Sequence, residues 1–279
     1  MNISQLPEIS ICIPTYNQTK YLVKTLDSLF NQTFENFEII ISDDSITDHV
    51  YELVLLFQQK FNDKIIYFRN NPSLGSPQNW NNVILKAKGK WIKIMHHDDW
   101  FCQKDALDKL VSVAIQNPKA LVFGGIQGNL IGDNRSYINL PSQHQIDAIK
   151  KDPFSLIWAN IIGPPSTIIF PKTEVEFDSR LLWLVDIEFY LQLLMNHKLE
   201  LLYVEEVLLE NQPDDHNITN QCFQNKQLEL KEFNLIFNKY FPKVTFKQRY
   251  KFLCRLKIHI STYAKINFFE LIYAHLKYK

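Results

Sequence analysis

The sequence is short of glycine and cysteine, and it has no long apolar run. It holds seven glycines in 279 residues and contains neither G-x-x-x-x-G-K-[ST] nor G-x-G-x-x-G, so a P-loop and a Rossmann dinucleotide site are excluded. The four cysteines lie far apart without a C-x-x-C pair, which disfavours a zinc cluster or disulfide framework and indicates a reducing compartment. No apolar stretch is long enough to predict a transmembrane helix,.

Charge is balanced over the whole chain but unevenly distributed. The formal net charge is zero, which argues against a nucleic-acid binder. Residues 225–279, however, carry twelve Lys/Arg against three Asp/Glu, interspersed with aromatic residues at helical spacing. A helical subdomain packed on the body, attachment to an anionic membrane surface and nucleic-acid binding all fit this pattern, the last weakly because no recognition motif accompanies it.

Apolar segments alternate with segments of helical periodicity through the first half of the chain. The β-branched runs at 8–13, 37–42, 65–68 and 91–95 predict buried strands, and the segments between them place leucines and valines at helical spacing,. This alternation predicts an α/β fold with a Rossmann-like, mostly parallel central sheet and helices on both faces.

Polar clusters follow three of these predicted strands, at 14–17, 43–44 and 96–99. Ligands bind beyond the carboxyl ends of parallel strands, so we expect the three clusters to converge. Paired carboxylates there suit Mg²⁺ or Mn²⁺ carrying a diphosphate, whereas a single Asp-Asp pair is more often a solvated turn. Zinc is disfavoured because His96 and His97, adjacent on a strand, point to opposite faces.

Two segments together resemble the family-2 glycosyltransferases, which are inverting enzymes of the GT-A fold. They are ISICIPTYNQTKYLVKTLDSLFNQTFENFEIIISDDS and NNPSLGSPQNWNNVILKAKGKWIKIMHHDDW, which are similar, in order, to the family's P-x-Y-N, D-D-x-S and N-x-G-x-x-x-N motifs. The resemblance covers about 7–122, weakens to about 209 and is absent beyond. It implies a GT-A domain over 1–221, with a nucleotide-binding half of about 1–122 and an acceptor half of about 123–221, followed by a helical region over 222–279.

The activity implied by this resemblance is metal-dependent transfer of a sugar, with inversion, from a nucleotide sugar. The donor is expected to be UDP-linked and the acceptor a hydroxyl of a glycan or lipid-linked glycan, in surface polysaccharide synthesis. Such enzymes are cytoplasmic, and the basic C-terminal region would allow peripheral contact with the inner face of the membrane. The alternative is a GT-A-like module that binds nucleotide without catalysis.

The family resemblance also implies roles for residues of the nucleotide pocket. Tyr16 is expected to lie near the base, Asp43 to accept a hydrogen bond from the base, and Asp44 to support that loop. The complete set of expected nucleotide contacts is Pro14, Thr15, Tyr16, Asp43, Asp44, Asn79, Asn81 and Asp98.

The metal motif departs from the family's usual form. Asp98 and Asp99 match the end of its D-x-D region and are expected to hold Mn²⁺ or Mg²⁺, with Asp98 also near a ribose hydroxyl. His96 occupies the first Asp position, as in an H-x-D-D subgroup, and its role is open: a hydrogen bond to the nucleotide competes with a metal bond. His97 is interpreted as structural or solvent-facing. His216, in QPDDHNIT, is a further candidate for metal or phosphate contact.

The expected catalytic base is a carboxylate that opens a helix in the second half of the chain. Asp186 precedes the amphipathic segment 187–194, and Glu188 is the backup because the family often shows two acids here. A helix cap is the competing explanation for Asp186. The segment 163–167, GPPST, is either part of the acceptor site or a rigid proline turn.

Overall fold

A computed structural model describes residues 6–61, 64–129, 136–212, 222, 225–245 and 248–249. His216 and the part of the basic region from 250 to 279 therefore lie outside the described residues, as do Asp214 and Asp215, which the sequence predicts to be solvated. Within the described ranges, strands and helices alternate from Ile9 to Ile94, as predicted.

The described strands form one sheet. They are β1 (Ile9–Thr15), β2 (Phe37–Asp43), β3 (Ile65–Arg69), β4 (Trp91–Ile94), β5 (Asp99–Phe101), β6 (Ala120–Asn129), β7 (Ser136–Asn139), β8 (Ile168–Pro171) and β9 (Glu200–Asn211). Their order is β3-β2-β1-β4-β8-β6-β9-β5, with β7 paired to β6. The β3-β2-β1-β4 part is parallel throughout, whereas antiparallel pairs join β8 to β4 and to β6.

The helices of the described residues cover both faces of this sheet. They are α1 (Lys20–Phe30), α2 (His49–Phe61), α3 (Gln78–Leu85), α4 (Ala106–Gln116), α5 (Gln143–Lys151), α6 (Val185–Leu191) and α7 (Lys226–Tyr240). A π-helical turn, Gln192–Asn196, continues α6, and 3-10 turns lie at Pro153–Trp158, Pro165–Thr167 and Phe241–Lys243.

Two hydrophobic cores result from the alternation of side chains along the strands. Ile9, Ile11 and Ile13 of β1 pack with α1, α2 and α4 on one face, while Cys12 packs with α3 and α6 on the other, as period-2 geometry requires. Each fully buried leucine or isoleucine contributes about 1.5–3 kcal/mol relative to an exposed one. The predicted α/β fold, with helices on both faces of the sheet, is confirmed.

The described part of the basic C-terminal region packs on the body of the protein. Phe233, Phe237 and Tyr240 of α7 are buried in the same core as α6, and the ring of Phe233 stacks on Trp158 with centroids 5.5 Å apart. Over residues 225–245 this agrees with the interpretation as a packed helical subdomain. In the residues that the structure describes, no helix combines the length and apolarity needed to cross a membrane.

Candidate active site

The polar clusters at the ends of β1, β2 and β4 meet at one edge of the sheet, because these strands are parallel neighbours. A cavity of about 1180 Å³ opens there. Its walls come from both halves of the chain. From the first half they include Pro14, Thr15, Tyr16, Asp44, Asn79, His96, His97, Asp98 and Asp99, and from the second half Trp158, Pro164, Trp183, Asp186, Glu229 and Phe233.

The side chains of His96, Asp98 and Asp99 form a compact cluster on one wall of the cavity. Potential ligand atoms of His96, Asp98 and Asp99 lie within 4.8 Å of one another. Burial raises the pKa of the Asp99 carboxyl well above its usual value, and the charge of Asp98 raises it further. Two neighbouring carboxylates in a buried site are unfavourable when ionised, so the cluster favours a bound cation.

His96 is held in place by the surrounding side chains yet keeps an unpaired nitrogen. Its ring lies against Trp80, with centroids 4.6 Å apart, and its backbone N–H donates to Ser166 Oγ at 2.9 Å. Burial lowers the pKa of His96 to about 4, so the imidazole is neutral at neutral pH. Within the described part of the chain, the buried Nε2 has no hydrogen-bond partner. The other ring nitrogen, Nδ1, lies 4.0 Å from Asp99 Oδ2, and a neutral imidazole beside two carboxylates fits the coordination of a divalent cation.

His97 and Lys93 flank this cluster. His97 Nδ1 lies 3.4 Å from the Pro14 carbonyl oxygen, and the residue also lines the cavity. Lys93 is fully buried on β4 and donates to the Ser166 carbonyl oxygen. Burial lowers the pKa of Lys93 to about 7, although the charge of Asp99 acts in the opposite direction. The lysine within the apolar run WIKIM was the sequence signal for this residue, and sequence reasoning missed it.

The side of the cavity formed by the ends of β1 and β2 contains a second unpaired polar atom. Thr15 Oγ1 is buried and has no hydrogen-bond partner among the described residues, while Tyr16 is half exposed at the cavity wall. The carboxylate of Asp44 accepts hydrogen bonds from Leu74 N at 3.1 Å and Gly75 N at 2.7 Å. Asp44 therefore holds the loop before α3 against the end of β2.

Asn79 links the strand ends beneath this pocket. Its Nδ2 donates to the carbonyl oxygens of Thr15, at 3.3 Å, and Ser42, at 3.1 Å. Its Oδ1 accepts a hydrogen bond from Asn70 Nδ2 at 3.0 Å. Asn79 both lines the cavity and fixes its wall.

Two predicted nucleotide contacts are not brought into the cavity. Asp43 is fully buried, and its oxygens accept hydrogen bonds from Ser45 N at 2.9 Å and Tyr67 Oη at 2.7 Å. Asn81 exchanges two hydrogen bonds with the backbone of Phe177, at 2.8 and 2.9 Å, and lines a separate open cleft of about 600 Å³. Burial thus separates Asp43 from the cavity, and Asn81 faces a different cleft.

Asp186 and Glu188 of α6 point in different directions, since helix positions two apart are separated by about 200° around the axis. Asp186 lines the cavity, and burial raises its pKa from 3.8 to about 7. Glu188 is fully buried away from the cavity and accepts hydrogen bonds from Tyr240 Oη at 2.9 Å and Gln192 Nε2 at 2.8 Å. Lys239 Nζ lies 2.7 Å from its carboxylate. Asp186 is thus the acid of this pair that faces the cavity.

The GPPST segment forms a turn that borders the cavity. Gly163 has a φ of +93°, which favours glycine, and its carbonyl oxygen accepts a hydrogen bond from Tyr190 Oη at 2.8 Å. Pro164 lines the cavity, and Ser166 supports His96 as described above. The turn therefore fixes the floor of the cavity and also forms part of its wall.

Helix α7 supplies cavity residues that sequence reasoning did not place there. Glu229 and Phe233 line the cavity on the side of Trp158 and Trp183. The helical spacing of the aromatic residues in α7 predicts a packing face, but it does not identify the surface that this face covers. This contact is a product of tertiary structure.

The chain resembles known proteins in sequence. The profile described as Glycosyl transferase family 2 matches residues 10–173, more than half of the chain. An uncharacterized glycosyltransferase of Rickettsia typhi is 26% identical over 250 residues, which cover 86% of this chain and 73% of that protein. GalNAc(5)-diNAcBac-PP-undecaprenol beta-1,3-glucosyltransferase of Campylobacter jejuni is 35% identical over 130 residues, 45% of this chain and 41% of that enzyme.

Solved structures resemble the chain in fold. TarS of S. aureus in complex with UDP-GlcNAc superimposes with a TM-score of 0.68 at 17% identity, over 95% of this chain and 75% of the TarS chain. The mannosyltransferase PcManGT of Pyrobaculum calidifontis, in complex with GDP-Man and Mn²⁺, gives a TM-score of 0.59 at 14% identity, over 87% of this chain and 66% of that one. At these identities the likeness establishes the fold alone.

Proposed function

The chain belongs to glycosyl transferase family 2 and is a glycosyltransferase with the GT-A fold, and from that premise we propose that it transfers a sugar from a nucleotide sugar to a glycan hydroxyl with inversion. The observation that carries this proposal is that one cavity contains both a candidate metal-binding cluster and a candidate base. One wall carries the His96, Asp98 and Asp99 cluster, and another carries Asp186. A leaving group beside the cluster and an attacking hydroxyl beside Asp186 can therefore occupy the cavity at the same time.

The carboxylates of Asp98 and Asp99, together with a ring nitrogen of His96, are proposed to hold a divalent cation, Mn²⁺ or Mg²⁺. The fit is supported by the unpaired His96 nitrogen, the burial of Asp99 and the raised pKa of its carboxyl group. When bound, such an ion stabilises the negative charge that develops on a diphosphate leaving group. Ser166 accepts a hydrogen bond from His96 N and is hydrogen-bonded to Asp99, while Lys93 donates to the Ser166 carbonyl oxygen.

Asp186 is proposed to accept the proton of the acceptor hydroxyl. A general base works best when its pKa lies near the working pH, and burial raises the pKa of Asp186 to about 7. No hydrogen bond to its carboxylate occurs among the described residues, so the oxygens are available to a substrate. Direct attack by the activated hydroxyl on the anomeric carbon, with departure of the nucleotide diphosphate, inverts the configuration in a single displacement.

The donor nucleotide is proposed to bind between the ends of β1 and β2. Pro14, Thr15, Tyr16, Asp44 and Asn79 line this part of the cavity, and Asp98 is proposed to lie near the ribose. UDP is favoured as the nucleotide because TarS, which shares the fold, was solved with UDP-GlcNAc. The GDP-Man of PcManGT makes GDP the competing choice.

Asp43 and Asn81 are proposed to support the nucleotide pocket from behind. Asp43 holds the backbone of Ser45 and the phenol of Tyr67, which fixes the wall at the end of β2. Asn81 ties α3 to the backbone of Phe177 in the second half of the chain.

A sugar ring of a glycan, free or lipid-linked, is the proposed acceptor. Trp158, Trp183 and Phe233 give the second-half wall an aromatic surface, against which the apolar face of a sugar ring can pack. The C. jejuni relative is named for a lipid-linked glycan, which supports this class for the present chain. Contact of the basic region with the inner face of the membrane stays a prediction, which co-sedimentation with anionic vesicles would test.

A donor panel tests the proposed function. Purified protein is incubated with Mn²⁺ or Mg²⁺ and UDP- or GDP-linked sugars, and release of the nucleotide diphosphate is measured beside UDP and GDP binding by calorimetry. Metal-dependent consumption of one donor is expected. Tight nucleotide binding without consumption of any donor would favour the inactive binding module, for which the histidine in the first metal position is the motivating feature.

A further inference from the structure

A buried carboxylate of helix α7, that of Glu232, contacts the backbone that precedes α6. Glu232 is fully buried, and its Oε1 accepts a hydrogen bond from Leu182 N at 2.7 Å. Its Oε2 accepts from Trp183 N at 2.9 Å and from Leu184 N at 2.7 Å. Three consecutive backbone N–H groups thus converge on one side chain that lies about fifty positions away in the chain.

The three donors are the N-cap residue of α6, Leu184, and the two residues that precede it. The first N–H groups of a helix lack intrahelical acceptors, and Ser, Thr, Asp or Asn usually supplies one at the N-cap. Here the N-cap is Leu184, and no side chain of α6 caps the helix. Glu232 instead binds the N–H groups of the N-cap residue and of the two residues before it, which places its carboxylate at the positive end of the helix.

The braced backbone carries the residues that face the cavity. Trp183 and Leu184 line it directly, and Asp186 follows Leu184 by two positions. Any rotation of this segment would move the Asp186 carboxylate relative to the substrate. Misplacement of a catalytic group by about 1 Å can cost about 100-fold in rate.

We propose that Glu232 is a positioning residue for Asp186, because it fixes the backbone of 182–184 from α7 and so aims the base at the acceptor. This inference rests on the proposed function, in which Asp186 is the base. It makes α7 part of the active site, although the sequence placed this helix in a separate C-terminal region. Glu232 acts through the backbone and does not itself touch the substrate.

The other end of α7 provides a matched control. Lys239 contacts Asp178 at 3.3 Å, so this pair also ties α7 to the segment that precedes α6. Asp178 lies outside the cavity and borders the separate cleft. Asp178→Asn should weaken the docking of α7 and the contact of Asp178 with Arg180, while the N–H groups of 182–184 keep Glu232 as their acceptor.

The test compares Glu232→Gln with Asp178→Asn in the full chain. The glutamine keeps the volume but replaces one acceptor oxygen with an amide that opposes the N–H donors. We expect kcat of Glu232→Gln to fall by about 10- to 100-fold, while the KM for the donor changes by less than about twofold. Amide hydrogen exchange of 182–184 should accelerate in this variant. Asp178→Asn should lower the melting temperature but leave kcat and the exchange of these amides unchanged.

Three results would overturn the inference: unchanged exchange at 182–184 in Glu232→Gln, faster exchange with unchanged kcat, or an equal loss of kcat in Asp178→Asn. If Glu232→Gln does not fold, Glu232→Asp takes its place, because it keeps the charge on a shorter side chain. This variant must also show a lower kcat with little change in the KM for the donor. A wild-type protein that consumes no donor would overturn the proposed function and the catalytic role of Glu232 together. Hydrogen exchange would still reveal whether Glu232 holds this backbone, so the two failures are distinguishable.

Discussion

Asp99 and Asp186 come from opposite halves of the chain, and the charge of Asp186 acts on Asp99. Burial and the charge of Asp98 raise the pKa of Asp99 most, and the charge of Asp186 raises it further. The cavity therefore contains two aspartates whose surroundings suit different roles. Asp99 lies within a cluster that a cation would stabilise, whereas the pKa of Asp186 is raised by burial alone, which suits a proton acceptor.

Replacement of Asp186 by asparagine should abolish transfer while preserving donor binding. The amide has nearly the same shape but cannot accept the hydroxyl proton, and loss of a general base costs about 100- to 10,000-fold in rate. Steady-state kinetics should show this loss in kcat, and calorimetry should show unchanged affinity for the nucleotide. A variant that retains more than about a tenth of the wild-type kcat would show that another group is the base.

The rate should rise with pH through about 7, because Asp186 must be ionised to accept a proton and burial raises its pKa to about 7. The same shift affects stability with the opposite sign. Between about pH 4 and 7 the unfolded chain releases this proton while the folded chain keeps it, so the free energy of unfolding falls as pH rises. Melting curves of wild type and Asp186→Asn across this interval should diverge, with the variant losing less stability. Parallel curves would contradict the raised pKa.

Replacement of His96 by aspartate should change the metal preference. An imidazole nitrogen favours transition-metal ions, whereas a third carboxylate adds the hard oxygen donor that suits Mg²⁺. We expect the ratio of Mn²⁺ affinity to Mg²⁺ affinity, measured from metal-induced shifts in melting temperature, to fall by about tenfold or more. An unchanged ratio would remove His96 from the metal site and favour its alternative role as a hydrogen-bond partner of the nucleotide.

Replacement of Glu188 by glutamine should affect stability more than catalysis. Its carboxylate accepts hydrogen bonds from Tyr240 and Gln192 and contacts Lys239, so weakening these contacts should cost about 1–3 kcal/mol in the free energy of unfolding. Denaturant titration measures that loss. The kcat of the folded variant should stay within about threefold of wild type, and a loss as large as that of Asp186→Asn would restore Glu188 as a candidate base.

Asn79 and Asn81 provide a paired test of the nucleotide pocket. Asn81→Ala removes two hydrogen bonds to Phe177 and should cost about 1–3 kcal/mol of stability, with little change in nucleotide affinity. Asn79→Ala removes a residue of the cavity wall and should weaken nucleotide binding measured by calorimetry. Weaker binding in Asn81→Ala alone would show that this side chain reaches the nucleotide after all.

The parallel half of the fold was predictable because its strands and helices have strong periodic signals. The run EIIIS became β2, and the leucines of α1 occupy one buried face. The long strand β9 was missed, since ELLYVEEVLLEN lacks strict alternation and forms its pairs with β6 across a bulge. Pairing with a distant strand, not local propensity, determines that element.

The candidate site was predictable to the level of motifs but not of side-chain direction. The convergence of 14–17 and 96–99 follows from parallel strands, and Asp186 and Glu188 were recognisable as a pair of acids. Which of the two acids faces the cavity and which faces the core depends on the residues that pack against α6, and no local pattern specifies those residues. The same reason explains Glu232, whose three backbone partners lie in a loop without a motif.

Release of nucleotide diphosphate from the donor by wild type, Asp99→Asn and Asp186→Asn at saturating Mn²⁺ tests the central claim most directly. The claim is that the metal cluster and the base of one cavity act in the same transfer. Both variants should fall at least ~100-fold below wild type. Release at the wild-type rate by either folded variant would contradict it.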